Sequence, residues 1–114
     1  MTGEKQFQNN TGMTLRVILT VRQGDDPNQN LKDVNFSLEP NASQRIKYGN
    51  SQNPFLNVME ISAIQPGTGG IMTSRVVLRR GDVVDNQFNM HDTVVFAWDG
   101  TNVMLSFTNT WTVR

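Results

Sequence analysis

The segment Gln23-Gly24-Asp25-Asp26-Pro27-Asn28-Gln29-Asn30-Leu31-Lys32-Asp33 gathers several side-chain oxygens into one short stretch. A hard cation such as Ca2+ takes about six to eight oxygen ligands, so the run from Asp25 to Asp33 is the one place where an ion is worth testing. Its spacing is not that of an EF-hand, because it lacks the glycine at the sixth place and the distal glutamate. The plainer reading is a solvated turn held by Asx hydrogen bonds, and no cofactor is expected.

A second constellation is Trp98-Asp99-Gly100-Thr101-Asn102. An aromatic face beside carboxylate and amide groups is what a sugar needs: its C–H faces stack and its hydroxyls bond. Tyr48 and Phe55 bracket a further polar stretch, Gly49 to Asn57, which holds Asn50, Gln52, Asn53 and Asn57. Together these point to a ligand-binding set of Asp25, Asp26, Asn28, Asn30, Asn50, Asn53, Trp98, Asp99 and Asn102. Against this, Trp98 and Trp111 share the apolar parity of their segments, which core packing alone explains.

Catalytic parts are missing. His91 is the only histidine. Asp85 and Asp92 lie near it in sequence, but a pair needs a nucleophile and oxyanion donors before it is an active site. There is no Gly-x-Ser-x-Gly elbow. Gly67-Thr68-Gly69-Gly70 lacks the lysine and helix of a phosphate loop and reads as a turn. Arg80-Gly81-Asp82 spells an integrin-type tripeptide, yet it sits between apolar runs where a tight turn needs glycine. No catalytic or metal-ligating residue is assigned, and the chain is expected not to be an enzyme.

Composition narrows the classes further. The 114 residues suit one domain, spanning 1–114. There is no cysteine, so disulfides and thiolate metal sites are excluded. Ten Lys and Arg balance ten Asp and Glu, where a nucleic-acid binder would show a basic excess. The opening Met1-Thr2-Gly3-Glu4-Lys5 shows no basic region followed by an apolar run, so the expected location is the cytoplasm. No apolar stretch approaches the roughly 20 residues that a membrane helix requires, and no transmembrane segment is expected. The sequons at Asn9, Asn35 and Asn41 are then accidental.

The elements that must carry these groups alternate with period two. Met13, Leu15, Val17, Leu19 and Val21 share one face, with Thr14, Arg16, Thr20 and Arg22 on the other and Ile18 as an exception. Val103, Leu105, Phe107, Trp111 and Val113 repeat the pattern at the C-terminus. Thr93 to Trp98 precedes it, and Asp99-Gly100 signals a hairpin that would pair Phe96 with Val103 and Val94 with Leu105. Lys5 to Gln8 is expected to pair with Met13 onward across Asn10-Thr11-Gly12. Val34 to Leu38, Gln44 to Tyr48, Val58 to Ile64, Ile71 to Leu78 and Val83 to Phe88 read as further strands. The prediction is an all-β, two-sheet antiparallel sandwich of about eight or nine short strands.

If every strand crosses the domain once, segments 23–33, 49–57, 79–82 and 99–102 share one end. Segments 9–12, 39–43, 65–70 and 89–92 share the other. The first end would then gather the whole ligand-binding set on long loops, where binding residues usually sit. Asn10-Thr11-Gly12-Met13-Thr14-Leu15 resembles the first hairpin of several small β-sandwich lectins and lytic proteins. The chain departs from them in lacking an aromatic-rich membrane patch, and no functional residue is carried over.

Three functions follow in order. The first is a binding module, lectin-like, for a neutral polar ligand such as a glycan. The second is a structural or assembly subunit, a homo-oligomer or protein partner acting through β edges or sheet faces, favoured by zero net charge. The third is a membrane-active sandwich, which would need an exposed apolar patch.

Overall fold

Period-two burial builds the core, as the alternation requires. In the computed structural model, which describes residues 3–65 and 69–110, Leu15, Val17, Leu19 and Val21 all face the interior. They belong to β2 (Thr14–Arg22). The chain order is β1 (Glu4–Asn10), β2, β3 (Asn30–Leu38), β4 (Ser43–Lys47), β5 (Leu56–Gln65), β6 (Gly69–Val76), α1 (Val83–Asn89), β7 (Thr93–Trp98) and β8 (Val103–Thr108). Two four-stranded sheets result, ordered β4-β1-β7-β8 and β3-β2-β5-β6. The protein is an all-β two-sheet sandwich with one short helix.

Aromatic side chains bridge the sheets. Phe7 of β1 stacks on Phe96 of β7 with centroids 6.1 Å apart, and meets Phe36 of β3 at 5.0 Å. Beneath α1, Phe88 packs against Phe107 at 6.1 Å. Burying one such ring contributes roughly 2–3 kcal/mol. Among the described residues no helix is long and apolar enough to cross a membrane. Trp111, Val113 and the Pro66-Gly67-Thr68 part of the turn lie outside the described residues.

Four local expectations are corrected. Residues 83–89 form a helix, not a strand. Asp82 caps it, its carboxylate accepting from the Asp85 amide, and the i, i+4 pairs Val84–Phe88 and Asp85–Asn89 turn inward. A helix this short shows no sustained period in the sequence. Second, β1 does not pair with β2. Asn10-Thr11-Gly12 is a crossover between sheets, and β1 lies between β4 and β7. Buried Asn9 holds that crossover, its amide donating to the carbonyls of Met13 (2.6 Å), Leu38 (3.1 Å) and Glu39 (3.1 Å). Third, the β7–β8 hairpin pairs Phe96 with Leu105 and Val94 with Phe107, two positions beyond the expected register. Asp99 accepts from the amides of Thr101 and Asn102 and so closes a longer loop. Fourth, β1 and β7 run parallel, the one parallel pair described. Helix α1 turns the chain at one end of the domain, so β7 starts beside the start of β1.

That helix also re-sorts the loops. It does not cross the domain, so every connection after it changes ends. Segment 89–92 sits with Gln6 and Leu56, through Gln6 N to Asp92 O at 2.8 Å and Leu56 N to Asn89 Oδ1 at 2.8 Å. Segment 99–102 sits beside Asn10, which pairs with Ala97. A nine-residue strand such as β2 separates the two ends by about 30 Å.

Candidate functional site

The end that carries α1 is organised by Arg22. At the end of β2 the ladder slips, between Val21 and Arg22 against β3 and between Thr20 and Val21 against β5. A bulge breaks the alternation of faces, and Val21 and Arg22 are both buried. The Arg22 side chain is 1% exposed. Its Nε donates to Asn57 Oδ1 at 2.7 Å, Nη1 to Asp25 Oδ1 at 2.9 Å, and Nη2 to Asp85 Oδ1 at 2.6 Å. Nη2 also lies 3.4 Å from the Leu56 carbonyl, and Cζ stands 5.4 Å from the Phe55 ring centroid. A buried guanidinium is tolerable only when its donors are met and its charge is paired, and here each of its three nitrogens has a partner and two carboxylates face it.

Asp85 completes the pair from α1. Its second oxygen accepts from the Gly81 amide at 2.7 Å, and Asn89 donates to its first at 2.7 Å. Burial pushes this carboxyl up, but Gly81, Arg22 and Asn89 outweigh it and hold it below the usual carboxylate range. Asn89 also accepts from the Leu56 amide and donates to the Leu56 carbonyl, clamping α1 to β5.

The loops hang from these groups. Asn57 donates to the carbonyls of Pro27 (3.1 Å) and Gln29 (3.3 Å) and to Asn30 Oδ1 (2.8 Å). Asn53 Oδ1 accepts from the Gly24 amide at 2.7 Å. Asn50 Oδ1 closes its own turn on the amides of Gln52 and Asn53. Asp26 Oδ1 accepts from the Asn28 amide at 3.0 Å. Arg80 reaches across to Asp25, donating to its carbonyl at 3.0 Å with Nε 3.4 Å from Oδ2. Gly49 packs so tightly that a Cβ there would stand 2.2 Å from the Asn53 carbonyl oxygen.

Six of the sequence-predicted residues therefore share one end: Asp25, Asp26, Asn28, Asn30, Asn50 and Asn53. Trp98, Asp99 and Asn102 lie at the other. Trp98 is half-buried against the core, and the Asp99 carboxyl is held low by the Asn102 and Thr101 amides. Much of the oxygen chemistry in the first group is already engaged. The Asp25 carboxylate faces two guanidinium groups, and Asp26 and Asn50 cap their own turns. Among the described residues no group of three or more His, Cys, Asp or Glu is arranged to hold a metal ion.

The remaining motifs find local roles. Asp82 of the Arg-Gly-Asp tripeptide caps α1 and accepts from the Leu78 and Arg79 amides, each at 3.1 Å. His91 Nδ1 lies 3.1 Å from the Gln87 carbonyl, and its ring stands 6.2 Å from Phe107. Of the sequons, Asn9 is buried while Asn35 and Asn41 are exposed.

Two further buried ionisable groups stand outside the Arg22 cluster. Lys5 shares the inward parity of Phe7 and Asn9, and its ammonium donates to the His91 carbonyl. Burial lowers it to about 8, partly offset by Asp92. Tyr48 is fully buried, and burial together with Glu4 pushes its phenol up. Comparison of the chain with protein-family models, characterised proteins and solved structures finds no match.

Proposed function

We propose that this protein is a non-enzymatic binding module that takes a neutral polar ligand, such as a glycan, on the α1 end of the sandwich. One observation carries the reading. The buried Arg22 guanidinium, through Asp25, Asn57 and Asp85, ties segments 23–30, 55–57 and 81–89 into one fixed surface. Loops on a rigid scaffold are where recognition usually resides. Fixing them in the free protein spares the ordering cost of binding, roughly 0.5–1.5 kcal/mol per immobilised side chain.

The rim so held presents Asp26, Asn28, Asn30, Asn50 and Gln52 to solvent, with Arg80 at its side and half-buried Phe55 behind it. Amides in that density suit hydroxyl groups, which both donate and accept. Trp98, Asp99 and Asn102 have no part in this reading, since they stand at the opposite end. A cysteine-free chain suits the reducing cytoplasm as the place where the module works.

A glycan array probed with and without Ca2+ tests the proposal. The expected result is a restricted set of bound glycans, lost in an Asn28→Ala, Asn50→Ala double variant and kept in Asn102→Ala. Silence under both conditions contradicts it, as does binding that Asn102→Ala removes and the double variant does not.

A further inference from the structure

Four strands end the two sheets, and two of them are guarded by charge. β4 is short and carries Arg45 and Lys47. β3 carries Lys32 and Asp33 and begins at the bulge. β8 carries no charge, but it has six residues and exposes one large apolar side chain, Met104. β6 differs: it runs eight residues with Arg75 as its one charge. It also exposes Met72 (64%) and Val76 (45%), with Leu78 (75%) just beyond. One side of β6 pairs with β5 from Val58↔Val76 to Gln65↔Gly69. The other meets no strand among the described residues. A long, weakly charged edge with exposed apolar side chains is a template for another strand.

The sequence of that edge is self-complementary. Placed antiparallel against itself with Ser74 at the centre, Val76 falls opposite Met72, Arg75 opposite Thr73, Val77 opposite Ile71 and Leu78 opposite Gly70. Every large apolar group on the outer face gains a cross-strand neighbour or covers a glycine, and the two copies of Arg75 stand diagonal to each other, not directly opposite. Cross-strand pairs of this kind each contribute roughly 0.2–1 kcal/mol in sheets, and like charges directly opposite would oppose pairing. The chain has zero formal net charge, so two copies approach without long-range repulsion.

We propose that two copies of this chain pair edge to edge through β6, about a two-fold axis at Ser74, merging their β3-β2-β5-β6 sheets into one continuous sheet. The two-fold axis points the α1 ends of the two copies in opposite directions, so the pair would carry two separate binding rims.

Sedimentation over a wide concentration range tests this, together with two variants at the exposed Ser74. The wild type is expected to form a dimer. Ser74→Lys sets two ammonium groups face to face and is expected to weaken the dimer about tenfold or more, with an unchanged circular dichroism spectrum. Ser74→Cys introduces the only thiol in the chain and is expected to give a covalent dimer under mild oxidation. A strict monomer at every concentration overturns the proposal. So does a dimer that Ser74→Lys leaves intact and Ser74→Cys fails to cross-link. Neither outcome bears on glycan binding, which the array reads separately.

Discussion

Arg22 Nη2 donates to Asp85 Oδ1 across 2.6 Å, and the two buried side chains join the end of β2 to α1, which are 63 residues apart in sequence. Removing Asp85 takes away the more buried of the two carboxylates paired with Arg22 and leaves only the half-exposed Asp25. Asp85→Ala is expected to cost about 3 kcal/mol, read from the midpoint of urea unfolding. Arg22→Met with Asp85→Leu should cost less than the sum of the two single variants by about 1 kcal/mol or more, because the double variant removes both members of the contact together. A double variant that costs the full sum would mean that the pair acts as two independent groups.

The same carboxylate gives an acid limb. Its folded value lies below its unfolded one, so its stabilisation is present above about pH 4 and is lost as pH falls through the depressed value. Asp85→Asn should flatten the loss of stability below pH 4 in acid titrations followed by tryptophan fluorescence.

Lys5 and Tyr48 shape the alkaline limb in opposite directions. Between about pH 8 and 10.5 the folded chain has released the Lys5 proton while the unfolded chain still holds it. Raising the pH through that window therefore stabilises the fold, by about 3 kcal/mol at most. Above pH 10 the unfolded chain ionises Tyr48 and the folded chain does not, so stability falls again. Unfolding free energy should rise from pH 8 and turn over above pH 10. Lys5→Met should remove the rise, and Tyr48→Phe should remove the turnover.

Gly49 tests how tightly the rim is built. A methyl group there would stand 2.2 Å from the Asn53 carbonyl oxygen and 3.5 Å from Gly3 Cα, and backbone on both sides leaves it little room. Gly49→Ala should cost about 1–3 kcal/mol by thermal unfolding and should weaken ligand binding as well. An unchanged melting temperature would show that the 49–53 turn shifts freely.

The strands were legible because burial with period two needs no knowledge of partners: Leu15, Val17, Leu19 and Val21 are inside as their spacing demands. Partnership was not legible. β1 and β2 are neighbours in sequence but belong to different sheets, and the Asn9 amide that holds their crossover bonds to backbone that alternation does not report. Arg22 sat on the polar parity of β2, and the bulge that turns it inward left no local signal. Helix α1 had one, in Asp82 followed by Asp85 with Val84 and Phe88 four apart, but Val83 and Val84 favour strands by propensity. That single misread element moved Trp98, Asp99 and Asn102 to the wrong end, since each later connection inherits its parity.

Native-state amide hydrogen exchange at Gly24, Leu56 and Gly81 tests the Arg22-centred surface most directly. These three amides bond to the side chains of Asn53, Asn89 and Asp85 and not to a backbone carbonyl of a neighbouring strand. A fixed surface predicts protection at all three approaching that of Val17 in the core, and its loss at all three in Arg22→Gln. Exchange in the wild type as fast as in an unfolded chain would mean that these loops are not held, and the reading of this end as a prepared binding surface would fall.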